Sequence, residues 1–414
     1  MVLPVIARQG NLAPFLQLPR PPKNLLVSPV HCFQVLFWTR TVSIEAKDAN
    51  GTSPVRHVWR ERGIHNTIRI TEIRSKQRAK WCMKDNVCNQ RLWKGAKEEG
   101  AKTGIGRCFG TFGELLQGVL PGQEREFLVT LPVARYSTAR FTAFSGAHGI
   151  CVYPSYKEKS RRLAEKLMHI LDLDSGGFLS VQSELPAGKG CASSSADMVA
   201  TARAIQSAFG VSISRASLAQ VMSSIEPSDG VMYRGIVSFY HREGVLRKFL
   251  GYLPSLTIVG IDEGGQVDTV EFNKRSKPLG QAHRAEYESL LPGMEQAVAH
   301  GDLESMGEIS TRSAVMNQGT LPKNHLDLLL DMRRRYRALG VVAAHSGTQL
   351  GLLLDPDSSN HSQSLLSITN ELSQYCPDVR VYRTHHFPRP SDSPMADSPV
   401  GAALSVRRAG GRAR

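Results

Sequence analysis

The sequence contains no run approaching the roughly 18 consecutive apolar residues that a membrane-crossing helix needs, so it does not read as a spanning protein. No apolar core of about 7–15 residues follows a basic start, so a secretory signal is not visible either. Cysteine is sparse: seven residues at no repeated spacing exclude a disulfide-stapled scaffold. No Cys-x-x-Cys pair occurs, which removes the usual signature of a structural zinc site. Acidic residues are absent from the first forty positions. The formal charge of +14 is distributed to match, because residues 1–100 hold 17 basic and 7 acidic residues and residues 388–414 hold 5 and 2. Residues 101–387 therefore carry a net charge of only +1, and an all-over basic surface for nucleic acid is excluded.

What is present is the composition of a folded, soluble protein, with 41% apolar and 21% charged residues over 414 positions. That length predicts two or three domains. Residues 1–104 read as a basic extension without sustained period 2 or 3.6, although all four tryptophans lie there. Five prolines up to Pro22 prevent the amphipathic helix of a transit peptide. The expectation is an upstream extension from a misassigned start, with Met83 as the true one; a disordered basic arm and a small extra domain are the alternatives. The tail 388–414, rich in Pro, Ser, Ala, Gly and Arg, reads as disordered. Its arginines read as solvated rather than as a nucleic-acid contact.

From Gly106 the texture changes. Phe127-Leu128-Val129, ending at Pro132, and Ala139–Phe144 predict two strands. Residues 161–171 predict a helix with Leu163, Leu167, Ile170 and Leu171 on one face. Phe178–Leu185 predicts a strand closed by Pro186. Then comes Pro186-Ala187-Gly188-Lys189-Gly190-Cys191-Ala192-Ser193-Ser194-Ser195. Met198, Val199, Ala202, Ile205 and Phe209 follow at helical spacing, and Gly210 stands where a C-terminal cap belongs. A strand, a small-residue loop and a helix N-terminus together present unpaired amides to an anion. The three serines add hydroxyls for phosphate or Mg²⁺. Ordinary N-capping is the alternative reading. The loop is not a Walker A motif, since no Gly-Lys-[Ser/Thr] ends it.

This segment resembles the phosphate loop of the GHMP kinases, with Cys191 for Leu, Ala192 for the second Gly and Ser195 for the first Ala. Gly110-Thr111-Phe112-Gly113-Glu114-Leu115-Leu116-Gln117-Gly118 resembles the family's first motif, and Ala344–Gly351 its third. The resemblance covers roughly residues 105–385. Within the family, Cys108, Glu226-Pro227-Ser228-Asp229 and His345-Ser346-Gly347-Thr348 resemble the branch of L-threonine kinases of cobalamin synthesis. The resemblance implies an α+β, two-domain fold: a nucleotide-loop domain over 105–230 and a ferredoxin-like domain over 231–387. It implies ATP and Mg²⁺, a small-molecule substrate (L-threonine, with homoserine or a similar metabolite second), and a cytoplasmic enzyme with no membrane or nucleic-acid partner. A homodimer is compatible with it. A catalytically inactive binding protein of the same fold is the rival from another class.

Residue roles follow from the resemblance. Ser194 maps to the serine that binds Mg²⁺, with Glu226 either a second ligand or a helix cap. Pro186 to Ser195 hold the nucleotide, and Lys189 reads equally as a phosphate cation or a loop lysine. Asp229 is the expected base for the acceptor hydroxyl, against an Asx turn before Gly230. Glu114 and Gly347 are placed at the substrate, Glu114 either on its ammonium or supporting the loop. Asp197 reads as a first-turn acid or a partner of Mg²⁺, His345 as packed or liganding, and Cys191 as loop filler. The arginines of Asp331–Arg337 read as a solvated helix face.

Overall fold

The computed structural model of the chain describes residues 43–47, 54–58, 97–123, 125–252, 254–265 and 281–387. The expectations for Met83, for the four tryptophans and for the tail 388–414 lie outside the described residues. The chain divides into two compact units, Met1–Ser75 and Lys76–Arg414. Described in the first are β1 (Ser43–Lys47) and β2 (Pro54–Val58), an antiparallel pair with Ser43 opposite Val58.

In the second unit, β3 (Lys97–Val119) and β4 (Glu126–Ser145) form a long antiparallel spine. The further strands are β5 (Ile150–Tyr153), β6 (Gly176–Ser183), β7 (Ile236–Tyr240), β8 (Val245–Gly251), β9 (Thr257–Asp262), β10 (Gly340–Ala343), β11 (Gln349–Leu354) and β12 (Val379–Arg383). One ten-stranded sheet runs β12-β9-β11-β10-β3-β4-β6-β5, and β7 and β8 branch from β4. Among the described pairings only β5–β6 is parallel. A mostly antiparallel sheet covered by helices is the expected α+β class.

Seven described helices complete the unit: α1 (Glu158–Ile170), α2 (Ser193–Phe209), α3 (Arg215–Ser223), α4 (Gln281–His300), α5 (Leu303–Asn317), α6 (Leu326–Tyr336) and α7 (His361–Leu372). Three apolar clusters hold them. Leu163 and Leu167 of α1 and Met198 and Ile205 of α2 meet Phe141 and Leu179 of the sheet. Leu291, Met294 and Met306 meet Phe112, Leu115 and Phe127. Leu329, Met332, Ile368 and Leu372 meet Val341 and Leu352. Each such side chain, fully buried, contributes about 1.5–3 kcal/mol.

Helix α2 lies unusually close on β3. A Cβ at Gly106 would stand 2.1 Å from the carbonyl oxygen of Ala200, so only glycine permits this approach. The helix that ends the phosphate loop is thereby fixed to the spine of the sheet. Its C-terminus is the predicted one, with Gly210 in the left-handed region at φ 64°.

Two expectations need correction. The two strands predicted on either side of Pro132 are one strand, β4. Pro132 faces Thr111 beside register shifts in the β3–β4 pairing, and its carbonyl accepts from the His385 amide at 2.8 Å. A proline at such an irregularity interrupts no ladder and does not end the strand. Ile170, placed on the buried face of α1, is 38% exposed; Leu163, Ala164, Leu167 and Met168 form that face instead. Arg335 on α6 pairs with Asp331 and Glu371, and this satisfies part of the arginine run as a solvated face.

Candidate active site

The loop after β6 is shaped by three left-handed residues in alternation, Gly188 (φ 71°), Gly190 (φ 83°) and Ala192 (φ 52°). This curls the backbone toward the N-terminus of α2. Ala192 stands at the cap position, and no side chain there accepts from the helix's first amides. Those amides and the positive end of the helix dipole face the cleft with Ser193, Ser194 and Ser195.

The two other sequence motifs hold the loop from behind. Thr111 and Gly113 donate backbone amides to Cys191 and Gly190 at 3.2 and 3.0 Å. Thr348 donates to the Lys189 carbonyl at 3.2 Å. A Cβ on Gly190 would sit 2.2 Å from the Ala344 Cβ, and one on Gly347 would sit 2.4 Å from the Gly190 nitrogen. The three motifs are thus one packed unit. Gly347 acts as the contact surface under the loop, and its carbonyl accepts from the buried Lys323 ammonium.

A cleft of about 710 Å³ opens over this unit. Two serine–carboxylate pairs stand in it. Ser194 Oγ donates to Glu226 Oε1, whose other oxygen is held by Lys159. Ser195 Oγ donates to Asp229 Oδ2 at 3.1 Å and accepts from the Asp229 amide at 3.0 Å. Burial first, and then the negative charge of Glu114, push the Asp229 carboxyl up from 3.8 to about 6. That brings it near the range a general base needs at neutral pH.

The remaining predicted residues divide. Ala187, Gly188, Gly190, Cys191 and Ala192 line the cleft, while Pro186 and Lys189 are not among its walls. The Lys189 ammonium is bound to Asp262 at 2.8 Å and to the Gly265 carbonyl. Asp262 is also bound by Thr348 and by the Gly264 amide. Glu114 lines the cleft, and its Oε2 accepts from the His345 amide at 2.9 Å and sits 3.2 Å from Nδ1 of that ring. His345 is completed by Ser313 at 2.8 Å and is buried. Asp197 is buried between Ser137 and Lys157, each at 2.5 Å. Burial pushes the Cys191 and Cys108 thiols up to about 12, which leaves no thiolate chemistry.

The sequence reading passed over several walls of the cleft. Lys157 and Lys159 precede and begin α1, and both lean on cleft carboxylates. His241 lines the same space, as do Gln117 and Ser228, which the sequence motifs contained without a role of their own. No spacing rule marks a lysine in a turn or a histidine just after β7; only the folded contacts select them.

Ser194 and Glu226 present hard oxygen donors beside the anion-binding helix end, which suits Mg²⁺. Among the described residues no group of three or more His, Cys, Asp and Glu side chains is gathered around one point. Mg²⁺ needs none, since it takes one or two carboxylates together with substrate phosphates and water. No described helix is long and apolar enough to cross a membrane.

Comparison with known proteins agrees with this geometry. Residues 158–235 match the family described as GHMP kinases N terminal domain. The chain is 31% identical over 252 residues to the L-threonine kinase of Citrobacter freundii, covering 61% of this chain and 86% of the relative. It is 28% identical over 265 residues to the L-threonine kinase of Salmonella typhimurium, covering 62% and 85%. Among solved structures, homoserine kinase from Cytophaga hutchinsonii superposes with a TM-score of 0.52 at 14% identity, over 70% of this chain and 96% of that one.

Proposed function

The chain belongs to the GHMP kinases, and from that premise we propose that it transfers the terminal phosphoryl group of ATP to the side-chain hydroxyl of L-threonine, in the service of cobalamin synthesis. The class of reaction is a phosphotransfer to an alcohol. The choice of threonine is supported by the two threonine-kinase relatives and by the cleft. One observation carries the reading. Two carboxylates of the cleft, Glu226 and Asp229, are hydrogen-bonded to adjacent serines of the phosphate loop. In this reading Glu226 is the cation-binding carboxylate and Asp229 the proton acceptor, each held by one of two adjacent serines at the helix end that receives the phosphates.

The chemistry asks for positioning and neutralisation more than for covalent work. The unpaired amides of α2 and the loop hold phosphate oxygens. Ser194 and Glu226 would hold Mg²⁺, which supplies charge neutralisation on the phosphates. Lys159 leaves Glu226 for the polyphosphate, and Lys157 stays close to the same helix end on Asp197. Asp229, kept in line by Ser195, takes the proton from the acceptor hydroxyl as the oxygen attacks. Leu128, in the wall of the cleft, offers apolar surface suited to the threonine methyl group. In this reading residues 105–230 carry the nucleotide, residues 231–387 complete the fold, and the enzyme works in the cytoplasm where ATP and free amino acids are found.

The test is acceptor-dependent ADP release by the purified protein with Mg-ATP. L-threonine, L-serine, L-homoserine and no acceptor are compared. Turnover highest with threonine is expected. Preference for homoserine keeps the kinase and overturns the acceptor, while a folded protein that binds ATP and phosphorylates none of them favours the inactive binding protein.

A further inference from the structure

Two buried polar atoms in the walls of the cleft, His241 Nδ1 and Ser228 Oγ, have no hydrogen-bond partner among the described residues. Both residues line the cleft and both are nearly inaccessible, at 5% and 2% exposure. They are neighbours in the fold, since the Ser228 amide donates to the His241 carbonyl at 3.0 Å. Buried polar atoms are costly to leave unpaired, so a partner supplied by a ligand is the natural completion.

The chemistry of that partner is set by the surroundings. The other ring nitrogen of His241, Nε2, faces Glu126 Oε2 at 3.4 Å, and Arg242 binds the second oxygen of Glu126 at 2.8 Å. Burial works against ionising Glu126, but the hydrogen bonds of His241 and Arg242 outweigh it and hold the carboxyl at about 2. In the neutral ring the proton belongs on Nε2, which faces Glu126, and Nδ1 then presents a lone pair. Asp229 shares the cleft with His241, and the negative charges of Glu114 and Glu226 both reach its carboxyl. Lysines 157 and 159 lie on the nucleotide side, where they lean on Asp197 and Glu226. A carboxylate entering beside His241 would meet carboxylates, whereas a cation with N–H donors would be attracted by them and would satisfy both open atoms.

We propose that His241 and Ser228 form the subsite for the acceptor's α-ammonium group, with His241 held in its accepting tautomer by Glu126. This rests on the kinase reading above and names what the site selects, an amino alcohol or hydroxy amino acid over a hydroxy acid. His241 is then a specificity-determining residue and Glu126 a positioning residue behind it.

The experiment uses the full chain with Mg-ATP and three acceptors. L-threonine carries both end groups. L-threonine methyl ester keeps the ammonium and loses the carboxylate charge. (R)-3-hydroxybutanoate keeps the carboxylate and hydroxyl and lacks the ammonium. His241→Gln retains an amide donor toward Glu126 and removes Nδ1. It is expected to raise KM about tenfold or more for L-threonine and its ester, with KM for ATP and kcat within about threefold. The already poor use of the hydroxybutanoate should not change. Ser228→Ala, a substitution too small to threaten folding, is expected to give the same pattern at about threefold.

Equal losses on all three acceptors, or none, overturn the subsite. Losses on threonine and the hydroxybutanoate that spare the ester assign the contact to the carboxylate and overturn it too. A wild-type enzyme that prefers the hydroxybutanoate contradicts the ammonium subsite and leaves the kinase standing. A wild-type enzyme with no acceptor-dependent turnover contradicts both.

Discussion

Asp229 is held where burial and the charge of Glu114 both oppose its ionisation, and its carboxyl is raised to about 6. The consequence for rate is direct: reaction requires the ionised form, so kcat/KM should fall as pH drops through about 6. The consequence for stability has the opposite sense. The native carboxyl holds its proton more tightly than the unfolded one at 3.8, so stability is lost as pH rises from about 4 to about 6 and stays lost above. Asp229→Asn, which cannot ionise, is therefore expected to melt higher than wild type at about pH 8, and the gain should vanish at about pH 3.5, where both forms are neutral. Melting curves of the two proteins across this range check it; a gain that is constant with pH would contradict a buried charge as its cause. Asp229 was legible in the sequence because Glu226-Pro227-Ser228-Asp229 stands at a fixed distance from a recognisable loop. His241 and Glu126 were not legible, because they meet only through the pairing of β4 with β7, a contact between distant parts of the chain.

The phosphate loop, at the level of the element, pays for its curl at Ala192, a residue with a Cβ held at φ 52°. The left-handed region costs an ordinary residue about 1 kcal/mol relative to glycine. Ala192→Gly is expected to stabilise the protein by up to about 1 kcal/mol, read as a shift in denaturant midpoint with unchanged slope. No shift, or a loss, would mean that the freedom glycine adds to the unfolded chain outweighs the relieved strain. Lys323 tests the support of the same loop. Burial pushes its ammonium below the usual lysine range, and Nζ donates to the Gly347 carbonyl beneath Gly190. Lys323→Met removes the donor and leaves that carbonyl buried without it. The expected result is a drop in ATP affinity of about tenfold together with a lower melting point. Unchanged nucleotide affinity would remove Lys323 from the loop's support. The strand–loop–helix order of this element was readable from small residues and helical spacing. The continuity of β4 through Pro132 was not, because the register shifts that accommodate a proline belong to the pairing and not to the residue.

For the molecule as a whole, the cleft is built by residues between Glu114 and Ser346, and these lie in the nearly neutral stretch of the sequence. A chain of residues 83–387 is accordingly expected to keep kcat and both KM values within about twofold of the full chain. A large loss of turnover would assign the ends a part in catalysis. The overall α+β class was legible through the resemblance of three short motifs to the GHMP kinases, whereas the branching of β7 and β8 from β4 rests on pairings that no local pattern announces. The account's central claim is that the two serine–carboxylate pairs make one phosphoryl-transfer site, with Glu226 serving the nucleotide and Asp229 the acceptor. It is tested most directly by measuring, on Asp229→Asn, both acceptor-dependent turnover and the affinity for Mg-ATP. The account predicts turnover reduced by about a hundredfold or more, with ATP affinity within about threefold of wild type. Near-normal turnover would contradict it.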